Sequence, residues 1–298
     1  MSRIKIFIPA GLLVIAGLIG QEARTPEPAS PPLATILSAA REYCARLERA
    51  ALDFVCLEEV EERLDLGRDE RADLERAARA AGRDPSAWVS SPRDRLVSPR
   101  NPKLNNTYLL DYQFVRRDKK VEEKRVLLEK NGRKVSPRTA APRLSAFNYA
   151  DVLLMPVRLL DAKSQDFYSY RLQGEDRVSE LDAWVLEVVP RMTGITRYLG
   201  GRIWLKRDDS SVLRIEWDPT TFDHYEDIIA RAASFKAEPE VRSVTEFGFE
   251  KNGIRFPSSD LTEEAYRDPD GKLFVRARTQ VTYKDYKFFM VETSSTIK

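Results

Sequence analysis

The chain has 298 residues, 42% hydrophobic and 32% charged, an ordinary soluble composition that excludes a fibrous, membrane-embedded or wholly disordered chain. Lys and Arg number 49 against 47 acids; removing Arg3 and Lys5, the cations of an acid-free first 20 residues, leaves 47 of each sign. A neutral body excludes nucleic acid as the main partner, because phosphate binding needs net basic surface. One histidine (His224) and two cysteines (Cys44 and Cys56) exclude His/Cys zinc sites and most Ser-His or Cys-His catalysis.

Residues 1–20 place two cations before an apolar run from Ile6 to Ile19, then turn polar at Gln21. A run of about 14 residues is short of the ~20 that span a bilayer and fits a secretory signal peptide. Leu18 stands where a small residue is preferred for cleavage, so a retained anchor is the alternative. Gln21 occupies the position where a lipoprotein signal requires cysteine. Residues 21–32, rich in Pro and small side chains, read as an extended tether. Residues 33–298 are expected to form one domain, periplasmic or secreted, and peripheral to the membrane once the signal is cleaved.

Leu33–Leu52 has helical apolar spacing, and Phe54–Leu64 then switches to strand character. Export makes a bridge between Cys44 and Cys56 the expectation. On one straight helix they would stand roughly 18 Å apart, so the bridge requires the chain to reverse between them. Two buried free thiols are the alternative.

Asp69–Arg83 is a charged, Ala-rich helix followed by a Pro/Ser stretch. Together they read as a helical insertion at about 66–103 with a solvated face; docking of a protein partner is its sharper alternative role. From residue 104 onward strands alternate with tight turns. In Leu104–Arg117, Tyr108, Leu110, Tyr112 and Phe114 recur at period two, one face of a half-buried strand. Val121–Lys130 follows and ends at Asn131-Gly132, a hairpin dipeptide. Further strands are expected at Phe167–Leu172 and Ala183–Val189 around a turn with Gly174, then at Arg202–Arg207 and Val212–Trp217. Val244–Glu250, Ile254–Phe256, Ala265–Arg267, Leu273–Val281 and Tyr286–Thr293 complete them. Connections this short make antiparallel neighbours, and about ten strands in one sheet should curl to protect their edges. Leu144–Asp161 is the most apolar stretch after the signal. It reads as a helix lying over one sheet face, with Pro156 kinking or restarting it. The fold class is therefore α+β: a large curled antiparallel sheet, an incomplete β-barrel, with an N-terminal helix and covering helices.

No nucleophile elbow, phosphate-binding loop, H-E-x-x-H or C-x-x-C is present, so no catalytic residue, metal ligand or cofactor is assigned. His224 reads as a surface or turn residue. Strand aromatics are ordinarily core, but in a half-open barrel an inward face lines a cavity suited to an acyl chain.

The arrangement resembles the periplasmic carriers that ferry outer-membrane lipoproteins in Gram-negative bacteria, and the related periplasmic sigma-factor regulators. The resemblance rests on the helix at 33–52 feeding Phe54–Leu64, and on Gly201-Arg202-Ile203-Trp204-Leu205-Lys206 followed by Val212–Trp217. Phe256-Pro257 after a hairpin glycine and the covering segment 144–161 add to it. It implies an incomplete barrel holding acyl chains and no catalytic signature; the insertion and a longer C-terminal half are departures. Under this resemblance the ligand is a lipid or acylated protein. The candidate binding residues are Tyr112, Phe114, Trp184, Trp204 and Trp217 on the sheet, and Phe147, Leu153 and Leu154 on the cover. A non-enzymatic envelope interaction or sensing protein with a packed interior is the alternative, and a hydrolase with an unrecognised acid pair the third reading.

Overall fold

A computed structural model of the chain describes residues 31–51, 54–82, 103–117, 120–192 and 198–289. The expected signal peptide, most of the tether and residues 83–102 of the insertion lie outside the described residues.

The spacing of Ile36, Ala40, Tyr43, Cys44 and Leu47 produces a helix with one buried stripe, α1 (Leu33–Ala50). The chain then runs through β1 (Phe54–Asp65), α2 (Gly67–Ala80), β2 (Lys103–Arg117), β3 (Lys120–Lys130), β4 (Arg133–Ala140), α3 (Met155–Leu160), β5 (Tyr168–Val178) and β6 (Leu181–Pro190). It continues with β7 (Gly201–Lys206), β8 (Val212–Trp217), α4 (Tyr225–Phe235), β9 (Glu238–Glu246), β10 (Phe249–Lys251), β11 (Ile254–Phe256), β12 (Ser259–Arg267) and β13 (Leu273–Phe288). Eleven strands form one antiparallel sheet in the order β4-β3-β2-β1-β13-β12-β9-β8-β7-β6-β5, and β10-β11 form a separate hairpin. The two edge strands, β4 and β5, are not paired with each other, so the barrel is incomplete, as the sequence implied.

The hairpin dipeptides do what their chemistry dictates. Asn131-Gly132 and Asn252-Gly253 both have positive φ at each residue (51° and 72°; 53° and 71°). Elsewhere the structure corrects the reading. The β5–β6 turn is at Ser179-Glu180, not around Gly174, which sits inside β5 at a register shift. The two expected C-terminal strands are one continuous β13 that ends at Phe288, and residues 290–293 of the second expectation lie outside the described residues. Helix α4 carries no clear sequence signal, because its short apolar stripe, buried only at Ile228 and Ala232, hides between polar residues. His224 precedes α4 with φ 72° and is exposed.

Segment 144–161 is not one helix. Residues 141–151 are an irregular strap, Val152–Leu154 is a single 3-10 turn, and Pro156 restarts the chain as the six-residue α3. Proline is favoured in a first helical turn, where its missing N–H costs nothing.

α1, α3 and the β10–β11 hairpin share one apolar core with one face of the sheet, termed here the inner face. Tyr43 on α1 replaces a strand partner for β11: its hydroxyl accepts from Arg255 N–H (3.2 Å) and lies 3.4 Å from the Arg255 carbonyl, to which it donates. α4 adds a second cluster around Tyr266 and Phe274. The insertion is more than a solvated face. Asp69 in the first turn of α2 holds the Arg276 guanidinium at 2.9–3.0 Å, and Arg276 also reaches buried Glu264 (3.2 Å).

The expected disulfide is absent; both thiols are free and buried. Each has its own partner. Cys44 donates to the Pro156 carbonyl at 3.4 Å, tying α1 to α3, while Cys56 faces inward from β1 against Tyr286. Burial pushes both thiols far above the ordinary cysteine range, which makes them inert.

Candidate binding faces of the sheet

Strand alternation and register together determine what the inner face presents. One row crosses nine strands: Tyr108, Val60, Val281, Asp260, Thr245, Ile215, Ile203, Leu186 and Leu172 stand opposite one another in turn. Asp260 and Thr245 interrupt this otherwise apolar or aromatic row. The Thr245 hydroxyl donates to Asp260 Oδ1 (2.5 Å) and accepts from the indole N–H of Trp217 (3.0 Å). Burial raises the Asp260 carboxyl to about 6 against the pull of that hydrogen bond.

The next rows are still more polar. Arg125 of β3 faces Tyr112 of β2, and Glu58 of β1 faces Leu110 and Tyr283. Arg125 donates from Nε to Glu58 (2.8 Å) and from Nη1 to Glu123 (2.5 Å), while the Tyr112 hydroxyl donates to Glu123 (2.8 Å). Its guanidinium lies 4.8 Å from the ring centres of both Tyr112 and Tyr149, one on the sheet and one on the strap. Burial raises the Glu58 carboxyl, opposed by Arg125. The Tyr283 and Tyr149 side chains face the same Glu58 carboxylate from the sheet and from the strap.

The strap is held by side chains from the sheet. Glu62 accepts from the backbone N–H of Ser145 and, at 2.9 Å, of Ala146, and from Asn106 and Tyr108. Thr279 bonds both the N–H and the carbonyl of Phe147 (3.2 and 3.1 Å). Beneath the strap lies a cavity of about 130 Å³, lined by Tyr108, Arg125, Asn148 and Tyr149 together with Val60, Leu110, Ala141, Pro142 and Leu144.

The candidate residues divide accordingly. Tyr112, Phe114, Leu153, Trp184 and Trp217 lie in the inner core, and Leu154 packs against it. Phe147 is half-buried on the strap. Trp204 is on the opposite, outer face, in a small cluster with Val178, Ala183, Val185 and Leu213, its indole N–H donating to Asp176 (2.8 Å). Sequence reasoning missed Glu58, Glu62, Glu123, Arg125 and Asp260. The period-two pattern of β2 was legible, but β1 reads FVCLEEVEERLD, with glutamates on both faces, so alternation alone assigns neither face to the core.

A second, open groove of about 430 Å³ lies where β8 and β9 part, with Val189, Arg202, Glu216, Trp217, Val241 and Arg242 among its lining residues. Among the described residues no cluster of three or more His, Cys, Asp or Glu has metal-binding geometry, and no helix is long and apolar enough to cross a membrane.

No family model matches the chain, and no curated protein matches it. Solved structures with a similar fold include a LolA-superfamily protein from Nitrosomonas europaea (11% identity, 88% of this chain and 96% of that one, TM-score 0.36). A second is an outer-membrane lipoprotein-sorting protein domain from Vibrio parahaemolyticus (12%, 87% and 93%, 0.37). A third is a DUF1329-family protein from Desulfovibrio piger (13%, 87% and 95%, 0.36). Likenesses this distant say nothing about ligand or partner.

Proposed function

We propose that this chain is an exported, non-enzymatic binding protein of the bacterial envelope that engages a protein partner, its curled sheet being filled instead of hollow. The observation that carries this reading is the space under the cover. The cavity there is about 130 Å³, below the roughly 300–1,000 Å³ expected of a site for an acyl chain or similar ligand. Its wall carries Arg125, held by Glu58 and Glu123, so a charged network stands where an acyl-chain site would have apolar lining. Tyrosines and an ion-pair network occupy the volume that the carriage of a lipid or acylated protein would require. The signal-like N-terminal segment supports a periplasmic location, and the neutral body speaks against nucleic acid.

Native mass spectrometry of residues 21–298, purified without detergent from a periplasm, tests this. The expected result is an apo mass and no uptake of added phospholipid. Extra mass releasing as a phospholipid or acyl species would overturn the filled-interior reading in favour of a lipid carrier.

A further inference from the structure

The β8–β9 ladder is short. Its register runs only through Arg214↔Glu246, Ile215↔Thr245 and Glu216↔Val244, while β12 pairs with all nine residues of β9. Residues 238–243 of β9 therefore have a strand on one side only. Peptide planarity says which groups face the open side. Phe247 N–H donates to Leu213 of β8, and the Glu246 carbonyl accepts from Ser258 on the β12 side. Alternation then turns the main-chain groups of residues 245, 243, 241 and 239 toward β8. Beyond Ser243, which sits next to the last register pair, the groups turned to the groove are the Val241 N–H, the Val241 carbonyl and the Pro239 carbonyl. None of them has a hydrogen-bond partner among the described residues. Pro239 has no N–H to offer, as expected where a sheet edge must not extend indefinitely.

We infer that this fork takes a short extended peptide from a partner protein, added as a strand along β9. The inference rests on the reading of the chain as a protein-binding module and gives that reading a location. Three observations fit a polypeptide. The open groups are a main-chain edge, with a donor and acceptors at strand spacing, which another main chain complements. The groove of about 430 Å³ offers Trp217 and Val241 on the inner side for apolar side chains. On the outer side Arg242 is exposed and has no carboxylate within ion-pair distance among the described residues, which favours an acidic side chain there. An alternating peptide with an aspartate between two valines satisfies both faces at once.

The test uses the full exported chain and a fluorescein-labelled Thr-Val-Asp-Val-Thr peptide, with a control peptide N-methylated at alternate amides. Amide hydrogen exchange should find Val241 unprotected in the free protein while Val244 and Arg242, bonded to β12, are protected; peptide should slow Val241. Fluorescence anisotropy should show saturable binding that N-methylation weakens at least tenfold. Val241→Pro removes the open-edge donor together with the valine that packs against the α4 cluster, so Val241→Ala, which loses the packing and keeps the N–H, is its control: the proline variant should lose binding at least tenfold and the alanine variant less than threefold. Arg242→Glu should weaken the aspartate peptide and favour one carrying lysine. Protection of Val241 without peptide, no binding at millimolar peptide, or equal binding by the N-methylated peptide would each overturn the inference. Lipid found in the interior would overturn the filled-interior reading and leave peptide binding at the fork untouched.

Discussion

The guanidinium of Arg125 on β3 lies 4.8 Å from the ring centre of Tyr149 on the strap, and that contact joins the sheet to its cover. The same side chain binds two carboxylates and stacks on Tyr112, so one residue organises four elements of the chain. A buried ion network of this kind is costly to assemble and more costly to break.

Arg125→Ala strands Glu58 and Glu123 as buried, uncompensated acids. Denaturant unfolding at pH 7.5 should show a loss of about 3–5 kcal/mol. Arg125→Lys should recover little, since an ammonium cannot make the Nε and Nη bonds together while stacking between two rings. A loss below 1 kcal/mol for both variants would show that the network contributes little.

Asp260 predicts a pH dependence. Its folded value of about 6 exceeds the ordinary 3.8, so between these values the folded state binds more protons than the unfolded one. Stability therefore falls as pH rises from about 4 to about 6 and stays lower above that, by on the order of 3 kcal/mol. Glu58, also raised by burial, contributes with the same sign. Asp260→Asn keeps an acceptor for Thr245 and should remove most of this slope, making the variant more stable than wild type at pH 7.5 and not at pH 4. Parallel stability–pH curves for the two proteins would contradict the assignment.

Glu62 is the fastener of the strap. Glu62→Ala leaves the N–H groups of Ser145 and Ala146 without their acceptor and should cost roughly 2–3 kcal/mol. Limited proteolysis should then cut within 141–150 at concentrations of protease that leave the wild type intact. Cleavage elsewhere first would place the weak point outside the strap.

The two cysteines are expected to behave as core residues. Thiol labelling of the denatured, unreduced protein should find two, labelling of the folded protein none, and dithiothreitol should leave the melting temperature unchanged. A single labelled thiol or none in the denatured protein would mean that these side chains are oxidised.

Local chemistry was readable in the chain before any coordinates. Asn131-Gly132 and Asn252-Gly253 make hairpins because few other residue pairs adopt positive φ twice. The stripe from Ile36 to Leu47 makes a helix, and Tyr108 to Phe114 make one buried strand face, because side-chain period is a property of the local backbone. Pro156 marked the restart of a helix. These signals sufficed for an antiparallel, curled sheet with an N-terminal helix. The tertiary structure alone decided which face of each strand turned inward, because β1 carries glutamate on both faces and only its pairing with β2 and β13 sends Glu58 and Glu62 to the core. It also put Trp204 on the outer face although Trp184 and Trp217 point in, since the face of a strand residue depends on register with its neighbours. The same is true of the cysteines, each with its own partner, and of the fork at β9. Hydrogen bonds, ion pairs and open edges depend on which distant segments meet, and no single stretch of sequence encodes that meeting.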